Sequence, residues 1–310
     1  MPGRPQPTSS ATVSVDHTIR LQDGRNFAYT DMGARDGYPV FFGHGMPGSR
    51  LEGRFFHQRA RRHGFRIITP DRPGIGLSDF HRRRSLLDYP VDILHLANAL
   101  GFKRFSHIGW SSGGSRTLAC AFALRRRMDL GVCLSGYTSF DEYHQPQRFV
   151  EGTRWPGPRL ARLSPALTKA AVGVAAWMFR RSPGLYMREA EQLVSAEDRE
   201  LLRHFLRGKV FRRDQMVCLA SGGTAIATDL LTELESWGFR LADVRIPIMI
   251  YQGEQDPFIP VDYACHLASK LPIASLRLLP DAGHLYPLAE HFQDELFSRM
   301  WHHLTKTTEM

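Results

Sequence analysis

The 310 residues are 43% hydrophobic and carry a formal net charge of +9, enough apolar material for one large core, so one catalytic-size domain with an insertion fits better than two equal domains. Four widely spaced cysteines (Cys120, Cys133, Cys218 and Cys265) form neither a metal-like pair nor a disulfide framework, and a reducing cytoplasm is the expected location. Arginine carries nearly all the positive charge, in short scattered runs such as Arg82 to Arg84 and Arg125 to Arg127; without interleaved aromatics or a nucleic-acid motif this reads as a solvated basic face, with nucleic acid not expected as a partner and attraction of an acidic carrier or anionic surface as the alternative.

In chain order, Met1 to Ala11 is rich in Pro and Ser without an apolar h-region, and reads as a flexible tail and not a signal peptide. His17 to Gln22 and Arg25 to Met32 read as antiparallel strands turning at Asp23-Gly24. Pro39 to Gly43 is a short apolar strand that runs into His44-Gly45-Met46-Pro47-Gly48, and Phe65 to Thr69 is the next buried strand. A helix is predicted over Asp88 to Leu100, with Pro90 tolerated in its first turn. Lys103 to Ile108 reads as a buried strand, Ser115 to Ala123 as a helix, and Leu130 to Ser135 as a further strand.

After Gly136 the alternation stops. Tyr137 to about Glu235 holds no strand pattern, only helical stretches broken at Trp155-Pro156-Gly157-Pro158 and Ser182-Pro183-Gly184. Its segment Ala166 to Phe179 is apolar, yet shorter than the roughly 18 residues that suggest a membrane span. It reads as a cap helix lining an apolar substrate pocket, with a lipid-facing interfacial helix as the alternative. Ile246 to Gln252 and Ser275 to Leu279 are the last strands, and a helix begins at about Tyr286. The whole predicts an α/β chain with a mostly parallel sheet flanked by helices. Its expected divisions are a tail over 1–11, core over 12–136 and 241–310, and a helical cap over 137–240.

The chemistry begins at Gly109-Trp110-Ser111-Ser112-Gly113-Gly114. A serine between small residues at minus two and plus two, on a strand-to-helix turn, matches a nucleophile elbow. Ser112 is the poorer nucleophile, because that register puts Trp110 where a small residue is needed. The amide of Ser112 and that of Met46, in the upstream Gly/Pro loop, are the expected oxyanion donors. Asp256, after the strand ending at Gln252, is the expected acid, with Glu254 as runner-up. His284 is the expected base, because it follows the last strand and lies downstream of both serine and acid; Asp281 belongs to the turn. His44, Gly45, Trp110, Tyr137 and Trp177 are candidate substrate contacts, and Trp155 joins them as a further cap aromatic. His44 is assigned to bracing the oxyanion turn and not to catalysis.

With Asp71-Arg-Pro-Gly-Ile-Gly-Leu-Ser-Asp79 and Trp237 to Pro247 leading into Gly253-Glu-Gln-Asp256, these motifs resemble α/β-hydrolase-fold proteins over nearly all of the chain from about Thr12. The resemblance implies a Ser-His-Asp hydrolase of a small apolar ester or lactone, with no metal or organic cofactor and a small molecule as partner. The same triad can serve carbon–carbon bond hydrolysis, lyase, perhydrolase or acyl-transfer chemistry, or a small-molecule receptor with feeble turnover.

Overall fold

The computed structural model describes residues 16–143, 164–207 and 209–308. The expected tail and the turn at Trp155 lie outside them. The described residues hold an eight-stranded sheet in the order β1-β2-β4-β3-β5-β6-β7-β8. Its strands are β1 (Asp16–Arg20), β2 (Asn26–Gly33), β3 (Tyr38–Gly43), β4 (Phe65–Pro70), β5 (Phe105–Trp110), β6 (Met128–Leu134), β7 (Ile248–Gly253) and β8 (Ala274–Leu279). β2 runs antiparallel to β1 and to β4, and every other pairing is parallel. The central strands β5 and β7 are buried along their whole length, as strands covered on both faces must be, whereas edge strand β1 alternates exposed and half-buried residues.

Two apolar layers cover the sheet. Helices α2 (Asp88–Ala99), α3 (Gly113–Ala123) and α9 (Val261–Lys270) bring Ile93, Leu118 and Tyr263 into one of them. On the other, a 3-10 turn over Arg50–Phe56, α1 (His57–Arg62) and α10 (Glu290–Thr308) supply Phe56, Ala60, Phe297 and Met300. Full burial of one such side chain contributes roughly 1.5–3 kcal/mol, so the sheet is a rigid base for the loops at its carboxyl edge.

Between β6 and β7 the described residues form five helices: α4 (Pro165–Arg181), α5 (Pro183–Leu193), α6 (Ala196–Arg207), α7 (Val210–Ala220) and α8 (Gly223–Leu234). Ser164 caps α4 by accepting from the Leu167 amide at 3.3 Å, ahead of a proline in the first turn. Ala176, Cys218, Leu219, Ala225 and Ile226 from these helices form a small apolar cluster with Ile75. The Met46 side chain packs against it, so the loop after β3 is joined to these inserted helices, called the cap below for their place between β6 and β7. Among the described residues no helix is long and apolar enough to cross a membrane.

Candidate active site

Ser111 follows β5 at the mouth of α3 with φ of +55°, a left-handed conformation that L residues adopt only when their surroundings enforce it. Glycines enforce it here. A Cβ on Gly109 would lie 2.0 Å from the Gly113 carbonyl oxygen, and one on Gly113 would lie 2.0 Å from that of Gly43. The turn is held further by the Ser111 amide donating to the Leu134 carbonyl (2.8 Å) and the Gly114 amide donating to the Ser111 carbonyl (2.9 Å). Ser112 stands immediately before α3, where backbone amides have no partner within the helix and the helix dipole favours negative charge.

The loop after β3 meets this elbow from the other side: a Cβ on Gly45 would be 3.7 Å from Ser111 Cβ. Its shape is fixed from beneath. The Gly45 amide donates to Glu52 Oε2 at 2.8 Å. The Arg72 guanidinium donates to the carbonyls of His44 and Gly45. Fully buried His44 accepts the Arg72 amide at Nε2 (3.2 Å), which leaves the proton on Nδ1 to donate to the Gly45 carbonyl (2.9 Å). Burial and the Arg72 charge hold its pKa well below the ordinary value, so His44 is neutral.

At the carboxyl ends of β7 and β8, Asp256 Oδ2 accepts from His284 Nδ1 at 2.7 Å. The Asp256 carboxylate is fully buried, and its other oxygen accepts the amides of Phe258 (2.9 Å) and Ile259 (3.0 Å). Glu254 and Asp281 are exposed, so the buried pairing belongs to Asp256. Burial disfavours a charged His284, but the Asp256 carboxylate outweighs it and, helped by Asp198, raises its pKa above the ordinary value. Trp110 Nε1 donates to the His284 carbonyl at 3.1 Å, and the edge of Phe258 meets the imidazole at 5.2 Å between centroids.

Four acids from the cap reach these same loops. Asp198 of α6 accepts the amides of His284 (2.6 Å) and Leu285 (2.9 Å). Asp214 of α7 accepts the Ser49 amide (2.9 Å) and hydroxyl (2.5 Å), while neighbouring Gln215 donates to the Pro47 carbonyl (2.9 Å). Asp229 of α8 pairs with Arg72 and Arg84, each at 2.6 Å, with Arg116 at 3.7 Å. Burial alone would raise the pKa of Asp229, but the three guanidinium groups together lower it. Glu233 of α8 pairs with Arg116 and accepts the hydroxyls of Ser112 (2.8 Å) and Ser115 (3.0 Å).

A family model for the alpha/beta hydrolase fold matches residues 38–289. The chain belongs to the alpha/beta hydrolase fold family. It is 40% identical over 98 residues to a non-heme chloroperoxidase from Streptomyces lividans, a match covering 31% of this chain and only 36% of that relative. It is 26% identical over 249 residues to a 2-hydroxy-6-oxononadienedioate/2-hydroxy-6-oxononatrienedioate hydrolase from Burkholderia vietnamiensis, covering 76% of this chain and 75% of the relative. Among solved structures it is similar to a thermophilic esterase from Thermogutta terrifontis, with a TM-score of 0.65 and 21% identity over 94% of this chain and 98% of the other.

Within this alpha/beta hydrolase, the residues read from sequence fall into two groups. Ser111, Ser112, Gly45, Asp256 and His284 gather at the carboxyl edge of the sheet, with Met46 next in the loop after Gly45. The others are placed differently. His44 and Trp110 are buried braces for the two loops. Tyr137 packs in the core against Phe140 and Tyr263. Trp177 is 54% exposed and lies under the Arg181 guanidinium at 5.6 Å, so on α4 it faces outward and not into a pocket. The Ser112 hydroxyl is committed to Glu233 and Arg116.

The four cap acids escaped sequence reading. Only Asp198 leaves a local mark, in Ser195-Ala-Glu-Asp198, a helix-start pattern in which the Ser195 hydroxyl accepts the Asp198 amide at 3.1 Å.

Proposed function

We propose that this protein is a serine hydrolase that cleaves a carboxylic ester or lactone of a small, fairly apolar substrate. The observation that carries the reading is the buried Asp256–His284 hydrogen bond at the sheet edge where Ser111 stands on its glycine-flanked turn. Nδ1 of His284 is occupied by Asp256, so Nε2 is the base. It takes the Ser111 proton as Oγ attacks the carbonyl carbon. The amides of Met46 and Ser112 receive the developing oxyanion, each lowering the barrier by about 3 kcal/mol. His284 then returns the proton to the leaving alkoxide. A water, deprotonated by the same nitrogen, releases the acid and restores Ser111.

Carbon–carbon bond hydrolysis beside a carbonyl is the second reading. The Burkholderia relative's named substrates carry hydroxy, oxo and carboxylate groups and no ester, so their hydrolysis must break a carbon–carbon bond.

Ser111→Ala tests the machinery common to both. Labelling by a fluorophosphonate probe should vanish, and turnover of aryl esters should fall by about 10⁴-fold or more with the fold intact. Retained turnover would sink the assignment. Product analysis on ester and oxo-dienoate panels separates the two readings.

A further inference from the structure

The His284 loop owes its position to more than the core. Asp198 lies in the first turn of α6, fully buried. Its two carboxylate oxygens take separate amides, Oδ2 that of His284 at 2.6 Å and Oδ1 that of Leu285 at 2.9 Å. The approach is so close that a Cβ on Gly283 would lie 2.2 Å from Asp198 Oδ2 and 2.3 Å from Ser195 Oγ. Glycine at 283 is therefore what lets α6 sit on this loop. Trp110 takes the carbonyl of the same His284 at 3.1 Å, so the backbone of the residue is gripped by the cap at its amide and by the core at its carbonyl.

We propose that Asp198, a carboxylate carried by the cap, is a positioning residue for the base of the reaction, holding the His284 backbone so that its imidazole can serve Ser111. The inference rests on the triad reading above and adds to it a part supplied by the insertion. Asp198 has two effects on the base. It fixes the loop through two hydrogen bonds to a charged acceptor, the stronger kind. It also adds a negative charge that, after Asp256, favours the protonated imidazole.

The ionisable groups acting on Asp198 are His284 and Asp256. From α7, packed beside α6, Asp214 is occupied by Ser49 and Gln215, and Arg212 and Arg213 face solvent. From the 3-10 turn Tyr286–Leu288, the Tyr286 hydroxyl donates to the Tyr251 carbonyl. Burial pushes the Asp198 carboxyl up to about 6, so it is ionised where a neutral His284 works.

The experiment measures kcat and KM against pH for wild type, Asp198→Asn and Ser195→Ala, with an aryl ester whose turnover depends on Ser111. An asparagine keeps one acceptor, turns an NH2 toward the other amide and removes the charge. Asp198→Asn should lower kcat by about ten- to a hundredfold with KM changed less than about twofold. It should also move the acid limb of kcat/KM to lower pH by about half a unit or more. Ser195→Ala removes only the helix cap, so it should lower the melting temperature and leave the limb unmoved. A folded Asp198→Asn protein with wild-type kcat and an unmoved limb overturns the proposal while the triad stands. Retained turnover in Ser111→Ala overturns the triad reading itself.

If Asp198→Asn does not fold, wild-type NMR decides. The His284 and Leu285 amide protons should follow the inflection of the Asp198 carboxyl carbon and not only that of the imidazole. Amide shifts indifferent to that inflection overturn the proposal.

Discussion

Single atoms decide the elbow. A methyl at Gly113, the first residue of α3, would meet the backbone carbonyl oxygen of Gly43 at the end of β3 at 2.0 Å, where neither side can yield cheaply. Gly113→Ala should therefore cost about 3 kcal/mol of stability and displace Ser111. Gly184→Ala, at the start of α5 with nothing within 4 Å of the new Cβ, should be neutral or stabilising by up to about 1 kcal/mol. Urea denaturation of both variants checks the contrast, and equal effects would mean the elbow is not sterically closed. These constraints were legible in the sequence because they are local: glycine spacing, a strand before and a helix after. The partner of the Ser112 hydroxyl was not legible, since Glu233 lies 121 positions away and no period or motif links the two.

At the scale of elements, the cap is fastened through buried charge as much as through apolar contact. Its own apolar cluster is small, with Met187, Val194, Leu202 and Phe211 joining the core layer that also holds Phe297, while Asp198, Asp214, Asp229 and Glu233 enter the core edge. Asp229 is the hub, facing Arg72, Arg84 and Arg116. Asp229→Ala would strand buried guanidinium groups without a counter-charge and should cost about 3–5 kcal/mol. Because Arg72 also donates to the His44 and Gly45 carbonyls, ester turnover should fall too. A urea midpoint and turnover near wild type would show that water replaces the carboxylate and that the cap is held otherwise. The sequence made the helical character of this insertion readable from its Pro/Gly breaks and apolar runs. Which side chains bolt it down was unreadable, because exposed and buried acids look alike on an amphipathic helix until its partner surface is known. Trp177 is the converse case: an aromatic on an apolar helix that faces solvent.

Across the whole molecule, buried titratable groups set stability and activity against each other as pH rises. Burial pushes Asp198 up to about 6 and Asp214 up to about 7, from 3.8. Each then stabilises the fold fully below its unfolded value and loses that contribution as pH climbs to its folded one. Burial also keeps His44 and His107 neutral, with His107 near 3 and His44 well below 6.5. Their contribution is complete above about 6.5 and is lost as pH falls below it. Below about pH 6.5 the raised acids and these histidines run in opposite directions, so each offsets part of the other. Above it the histidine side is exhausted. Glu52, raised well above 4.5 by burial and by Asp214, and His284, raised by Asp256 against its burial, both still favour the folded state less with each step upward. The urea midpoint should therefore fall more steeply from about pH 6.5 to 8 than from about pH 5 to 6.5. Over the same range kcat/KM should rise, since in the proposed triad His284 serves as a base only after losing its raised proton. Glu52→Gln keeps an acceptor for the Gly45 amide but cannot ionise, so it should flatten the alkaline fall in stability and leave the rise in kcat/KM in place. A midpoint that climbs through pH 7 to 8, or a fall that survives Glu52→Gln at full size, would remove Glu52 as the buried acid that limits the fold at the pH where the site works best.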